Sequence, residues 1–380
     1  MSLNDASDRP FTTYAPLPGF ELWDRSLNNR GMLSFCLEVT ARCNNNCGHC
    51  YINLPAGERR AMEQELTKDE ILRIADEAIE LGALWCLITG GEPLLRKDFK
   101  EIYVALKKKG LFVSVFTNAA LVTGEIVELF KKYPPRSLEV TVYGVTQETY
   151  EKVSKKKGSF DAFMRGLNLL LDNGFPVNLK AVAMKSNYSE MEAITTFCRE
   201  RTRDPYRFDP MLHLRYDKDP ERNKEIIAER LSPEEIVVLE TGDKTRFGKM
   251  LDNCDTIIFA IGNVDDNVFN CNTGKGDFTV SYDGKLKLCS SLCNPAFVYD
   301  LKVKGNKVKN GLEKLLPLVY GLRSTNREFI ARCCECKISN LCISCPAHAW
   351  LETDMMDEPV DYFCKVAHAR ASAVSKGLSK

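Results

Sequence analysis

From about residue 33 to residue 215, short apolar runs of strand length alternate with amphipathic stretches of helix length. In SFCLEVT, Phe35, Leu37 and Val39 fall on one face of a strand, and Cys36 and Glu38 on the other. The next stretch opens with a capping box, Thr67 as N-cap and Glu70 three residues on. Ile71, Ile74, Ala75, Ala78 and Ile79 form its apolar stripe, and Gly82 ends it. The alternation continues with predicted strands at 84–89, 111–118, 138–144, 177–184 and 207–214. Between them it predicts helices at 97–109, 125–132, 161–172 and 190–199. Such βα units with short connections predict a parallel α/β sheet curled into a partial (β/α)6 TIM-like barrel, residues 33–215. In sheets of this kind ligands sit outside the carboxyl ends of the strands.

The pattern changes after the sixth strand. Residues 217–230 are densely charged, and Ser232, Pro233 and Glu235 start a helix, so 216–260 is expected to be a bridging helical region. Residues 261–370 turn to glycine, asparagine and cysteine, with a hairpin over 278–289 about Asp283-Gly284, and form a small cysteine-rich domain. Residues 1–32, with Pro10, Pro16 and Pro18, read as a lead-in, and 371–380 as a tail. Lys and Arg total 52 against 52 Asp and Glu, which argues against a nucleic-acid partner. No stretch approaches a membrane span, and the first residues have no signal-peptide pattern. The expected setting is a reducing, oxygen-poor cytoplasm. The 16 cysteines are too closely spaced for a disulfide framework and suit metal–sulfide ligation.

Cys43, Cys47 and Cys50 follow the first strand directly, with His49 before the third cysteine. Three thiolates on one loop can hold three irons of a [4Fe–4S] cube and leave the fourth open to a small molecule. A zinc loop or redox thiol cluster is the plainer alternative. The CxxxCxxC spacing resembles the signature of the radical S-adenosylmethionine (SAM) enzymes. That resemblance implies a cluster whose open iron binds SAM, and reductive cleavage to a 5′-deoxyadenosyl radical that abstracts hydrogen from a substrate C–H bond. It also implies that Gly90, Gly91 and Glu92, in the GGEP turn after the second strand, contact the cofactor's amino group. Asn118 and Thr141, at the ends of strands three and four, would line the same pocket, and His49 would flank it. Relatives often place an arginine about a dozen residues after the strand-four position; here Lys152 and Lys155 to Lys157 stand instead.

The C-terminal cysteines resemble the SPASM extension of peptide-modifying radical SAM enzymes: Cys271, then Gly284-x4-Cys289, then Cys333, Cys336, Cys342, Cys345 and Cys364. By that resemblance Cys333, Cys336, Cys342 and Cys364 would hold one auxiliary [4Fe–4S] cluster, and Cys271, Cys289 and Cys345 three corners of another. Its fourth ligand is open between Cys254, Cys293 and none; zinc is again the alternative metal. Cys36, Cys86 and Cys198 read as small buried hydrophobes, and His213, His348 and His368, isolated from any ligand spacing, as structural residues. Asp209 and Tyr143 stand near strand mouths, where packing or solvation is the ordinary role. The implied activity is oxidative maturation of a peptide or protein, with a flavodoxin or ferredoxin as external electron donor. The segment before Leu33 is too short for a folded leader-binding domain, so a peptide would meet the barrel mouth or a separate protein. Ser290 stands where sulfatase maturases have an aspartate base. The alternatives are oxidative tailoring of a small molecule, such as a tetrapyrrole or quinone precursor, and a multi-cluster electron carrier that never cleaves SAM.

Overall fold

The computed structural model describes residues 31–202, 206–258 and 266–378, so the expected lead-in lies outside them except at its end. Six parallel strands form the barrel sheet in chain order: β1 (Ser34–Thr40), β2 (Trp85–Gly90), β3 (Phe112–Thr117), β4 (Ser137–Val142), β5 (Val177–Val182) and β6 (Arg207–Asp209). Sequence spacing placed each of them within a few residues. β6 is shorter than the expected 207–214, because Pro210 has no N–H to continue the ladder. The capping box at Thr67 and Glu70 is present, and the helix Lys68–Glu80 buries Ile71, Ile74, Ala75 and Ala78.

One face of the sheet packs under the helices and is apolar: Phe35, Leu37, Ile88, Val113, Val115, Leu138 and Val140 are all buried. The other face is polar. Glu38 on β1 pairs with Lys287 at 3.3 Å, and Glu139 on β4 with Lys180 on β5 at 2.5 Å and Arg207 on β6 at 3.0 Å. Packed barrels fill this side with branched apolar side chains. Here it lines cavities instead.

The cysteine-rich region is continuous with the barrel. β7 (Asp277–Val280) pairs parallel with β1, with Phe35 opposite Phe278 and their rings stacked at 5.8 Å. β8 (Lys285–Lys287) and β9 (Tyr299–Asp300) follow antiparallel, so the nine-stranded sheet runs β9-β8-β7-β1-β2-β3-β4-β5-β6. Several helices were not foreseen, among them Gln147–Ser154, which starts on Thr146, and Pro220–Glu229, which starts on Asp219, whose carboxylate accepts from Glu221 N and Arg222 N. The expected 371–380 tail is instead helical to residue 378, as the end of Asp361–Leu378. Among the described residues no helix is long and apolar enough to cross a membrane.

Candidate functional site

The cysteine loop leaves the end of β1 and closes on itself where Arg42–Cys43 pairs with Leu54–Pro55. Arg42 anchors its base, donating through Nε to Glu65 Oε1 at 2.7 Å and through Nη1 to Ala56 O at 3.0 Å. Two further arginines hold the loop's carbonyls. Arg215 Nη1 donates to Cys50 O at 3.2 Å and Asn53 Oδ1 at 3.0 Å, and Arg222 Nη2 donates to Cys47 O at 2.8 Å. The charged stretch 217–230 therefore supplies Arg222 to the site. Asp219, capping its helix, was the available signal in the sequence.

The GGEP turn docks beneath this loop by backbone. Gly91 N donates to Thr40 O at 2.7 Å and Glu92 N to Arg42 O at 2.9 Å. A Cβ on Gly90 would lie 2.1 Å from Thr40 O, and one on Gly91 2.3 Å from Arg42 O. The glycines are thus demanded by the chain below, not by a ligand above. Gly90 and Gly91 line a cavity of about 430 Å³ together with Cys43, Cys47, Cys50, His49, Asn118 and Thr141. Glu92 is not among the residues that line it. Its carboxylate is fully buried and accepts from Asn118 N (2.7 Å), Thr117 Oγ1 (2.8 Å) and Leu94 N (3.0 Å), tying the ends of β2 and β3. Burial pushes this carboxyl up to about 7 against those three donors.

The three thiols meet chemistry suited to metal. Burial and then the nearby Glu92 charge push Cys43 up to about 12; burial and then the Cys50 and Cys43 charges hold Cys47 well above the usual thiol value. Thiolates that raise one another's pKa are stabilised when iron supplies the missing positive charge. Asn45 N donates to Cys43 Sγ at 3.4 Å, and Asn118 Nδ2 reaches the same sulfur at 3.7 Å and Asn44 Oδ1 at 2.8 Å. The His49 ring lies edge-on to Tyr143 at 5.2 Å, and burial and then the Arg222 charge lower its pKa to about 4. Among the described residues no three His, Cys, Asp or Glu side chains close on the point one metal ion would fill. Thiolates on separate corners of an iron–sulfur cube need not do so.

The C-terminal cysteines fall into two groups that act on each other electrostatically. After burial, Cys333 is raised by Cys342 and Cys336, and Cys342 by Cys364 and Cys336. Cys345, pushed up to about 11, is raised by burial and then by Cys289 and Cys271. Cys293 faces Lys287 Nζ at 3.7 Å, and its thiol donates to Ser290 O at 3.5 Å. The side chain of Cys254 lies outside the described residues.

Residues 37–198 match the model of the radical SAM superfamily. That stretch of the chain belongs to it. The chain is 32% identical over 162 residues to the Fe-coproporphyrin III synthase of Methanosarcina barkeri, covering 43% of this chain and 40% of that protein. It is 30% identical over 164 residues to the subtilosin biosynthesis protein AlbA of Bacillus subtilis, covering 43% and 36%. The chain therefore spans less than half the length of these curated relatives. The solved structure of Streptococcus suis SuiB bound to SAM shares the fold, with TM-score 0.62, 16% identity and coverage of 88% of this chain and 77% of that one.

Within this radical SAM fold His213 and His348, expected to be structural, stack at 3.6 Å, and His348 Nε2 lies 3.1 Å from Ser291 Oγ. His213, Tyr143 and Asp209 also line the cavity. Cys86 and Cys198 are buried singly, as expected.

Proposed function

We propose that Cys43, Cys47 and Cys50 hold a [4Fe–4S] cluster, with SAM in the adjoining cavity and the C-terminal cysteines holding two auxiliary clusters. When bound, these groups supply a 5′-deoxyadenosyl radical that abstracts hydrogen from an unactivated C–H bond, and sites that take up the electron left behind. The observation carrying the reading is the single cavity shared by the three cysteines, the Gly90-Gly91 turn, Asn118 and Thr141. Gly90 and Gly91 offer a backbone floor, Asn118 steadies Cys43, and Arg215 and Arg222 keep positive charge beside a loop that carries thiolates. Ile343, between Cys342 and Cys345, also lines the cavity, which brings the auxiliary ligand loop to the reaction space. Enclosure protects a radical from water and side reactions.

The substrate we propose is a peptide, with a flavodoxin or ferredoxin as donor and a reducing cytoplasm as the setting that keeps the thiols free. AlbA, named for bacteriocin biosynthesis, and the shared fold with SuiB support this reading. A tetrapyrrole is the second reading, favoured by the 32% identity to a coproporphyrin-handling relative. The reconstituted protein, incubated without oxygen with dithionite and SAM, is expected to form 5′-deoxyadenosine. A yield no higher than that of a Cys43→Ala variant would instead favour an electron carrier. Mass spectrometry of co-expressed candidate peptides then separates the two substrate readings.

A further inference from the structure

We propose that the roof of this cavity is a carboxylate-recognition site built on Arg246 and Arg370, which orients an anionic group of the substrate. The inference rests on the reading that substrate reacts in the cavity below. Arg370, on the helix Asp361–Leu378, and Arg246, on Lys244–Ile258, share one carboxylate. Arg370 Nε and Nη2 donate to Glu240 Oε2 and Oε1 at 2.8 and 2.7 Å, and Arg246 Nη2 donates to Glu240 Oε1 at 2.7 Å. Their other bonds go to backbone, Arg370 Nη1 to Leu341 O at 2.9 Å and Arg246 Nη1 to Phe208 O at 2.8 Å.

A guanidinium carries five N–H groups, so both side chains keep unused donors. Glu240 and Arg370 are buried at 1% and 6% exposure, and one carboxylate neutralises only one of two guanidiniums. Other acids nearby are committed: Asp243 accepts from Arg199 at 2.8 Å, and Glu139 is held by Lys180 and Arg207. Asp209, the remaining acid of the cavity wall, is exposed. Arg246, at 29% exposure, is the more open of the two guanidiniums that share this carboxylate and the one an entering anion can meet.

Both arginines line the 430 Å³ cavity and also a second one of about 300 Å³ that takes in Lys249, Asn340 and Ile343. The two spaces thus meet at the arginine pair, with Lys249 adding charge on the outer side. A planar fork with open N–H groups fits a carboxylate in two-point contact. The chemistry accommodates a Glu, Asp or C-terminal carboxylate of a peptide, or a propionate of a tetrapyrrole.

The test is equilibrium binding to the reconstituted full chain without reductant, so that it does not depend on radical formation. One arm titrates coproporphyrin III against its tetramethyl ester; the other titrates a tetraglutamate peptide against tetraglutamine. Binding of either acid over its neutral counterpart is expected, and which acid binds assigns the source. Arg246→Gln is expected to weaken that binding roughly 10- to 100-fold. Arg246→Lys, which keeps a charge for Glu240 but loses the fork, should weaken it roughly tenfold and covers the case where the first variant fails to fold. Binding of neither acid, equal binding of acid and neutral probe, or no change in the variants overturns the proposal. So does a matching fall in SAM affinity with the acid probe unaffected, since the pair would then serve the cofactor. If the wild type binds the acid but yields no 5′-deoxyadenosine with dithionite, the proposed function fails and this site stands.

Discussion

At the residue scale the turn Gly90-Gly91-Glu92 separates two kinds of conservatism. A Cβ on Gly91 would sit 2.3 Å from Arg42 O and 2.6 Å from Ala41 O, both backbone atoms that support the cysteine loop. Gly91→Ala should therefore cost about 3 kcal/mol and lower iron incorporation with it, read from denaturant unfolding and iron analysis. Glu92 makes a different prediction. Its folded value of about 7 lies above the ordinary glutamate value of 4.5, so the folded state binds its proton more tightly. Stability of the cluster-free protein should fall as pH rises from 4.5 to 7, by about 3 kcal/mol in total, and then level off. Unfolding curves at pH 5 and pH 8 should show that loss in the wild type, and Glu92→Gln should lack the slope. The motif was visible in the chain, but the direction in which its carboxylate points was not, because that depends on donors at Thr117 and Asn118, 25 and 26 residues away.

At the element scale, periodicity and capping chemistry recovered the six strands and the helices Lys68–Glu80, Phe99–Lys108, Gly124–Lys132, Ser159–Asp172, Met191–Arg199 and Pro233–Gly242. The signals are local: Thr67 with Glu70, and Ser232 with Glu235, each form the box their spacing implies. The helix Pro220–Glu229 escaped because only Ile226 among its residues is buried, so it has almost no apolar stripe to read. Its function is to carry Arg222 to the cysteine loop. Asp219→Ala removes the acceptor for Glu221 N and Arg222 N and should cost about 1 kcal/mol. Arg215 is the stronger case. Its guanidinium is 3% exposed, held by Asp217 at 2.8 and 2.6 Å, and bonded to three acceptors of the loop. Arg215→Met should cost about 2–3 kcal/mol, because the loop's three acceptors lose their donor while the half-exposed Asp217 returns to water. Iron content after reconstitution should fall further for Arg215→Met than for Asp219→Ala.

At the scale of the whole molecule, the pairing that no local pattern announces is the parallel one between β1 and β7, whose partners Phe35 and Phe278 are about 240 residues apart. The hairpin itself was readable from Asp283-Gly284, but its place in the sheet was not, since strand order is fixed by contacts distant in sequence. The consequence is that the barrel has no finished edge without the cysteine-rich region. Removing residues 261–380 would strip the ladder partner from Ser34–Leu37 and uncover Phe35, which is 2% exposed in the whole chain. It would also remove Lys287 from Glu38, leaving a buried carboxylate at 4% exposure without its ion-pair partner. An unpaired parallel strand with an apolar face is a template for association. A chain ending at residue 260 should therefore aggregate or run as large species in size-exclusion chromatography, where the full chain elutes as a discrete species. Phe278→Ala in the full chain makes the same argument with one side chain. It should cost about 3–5 kcal/mol by opening a cavity against Phe35, while leaving the cysteine loop, on the far end of β1, able to take up iron.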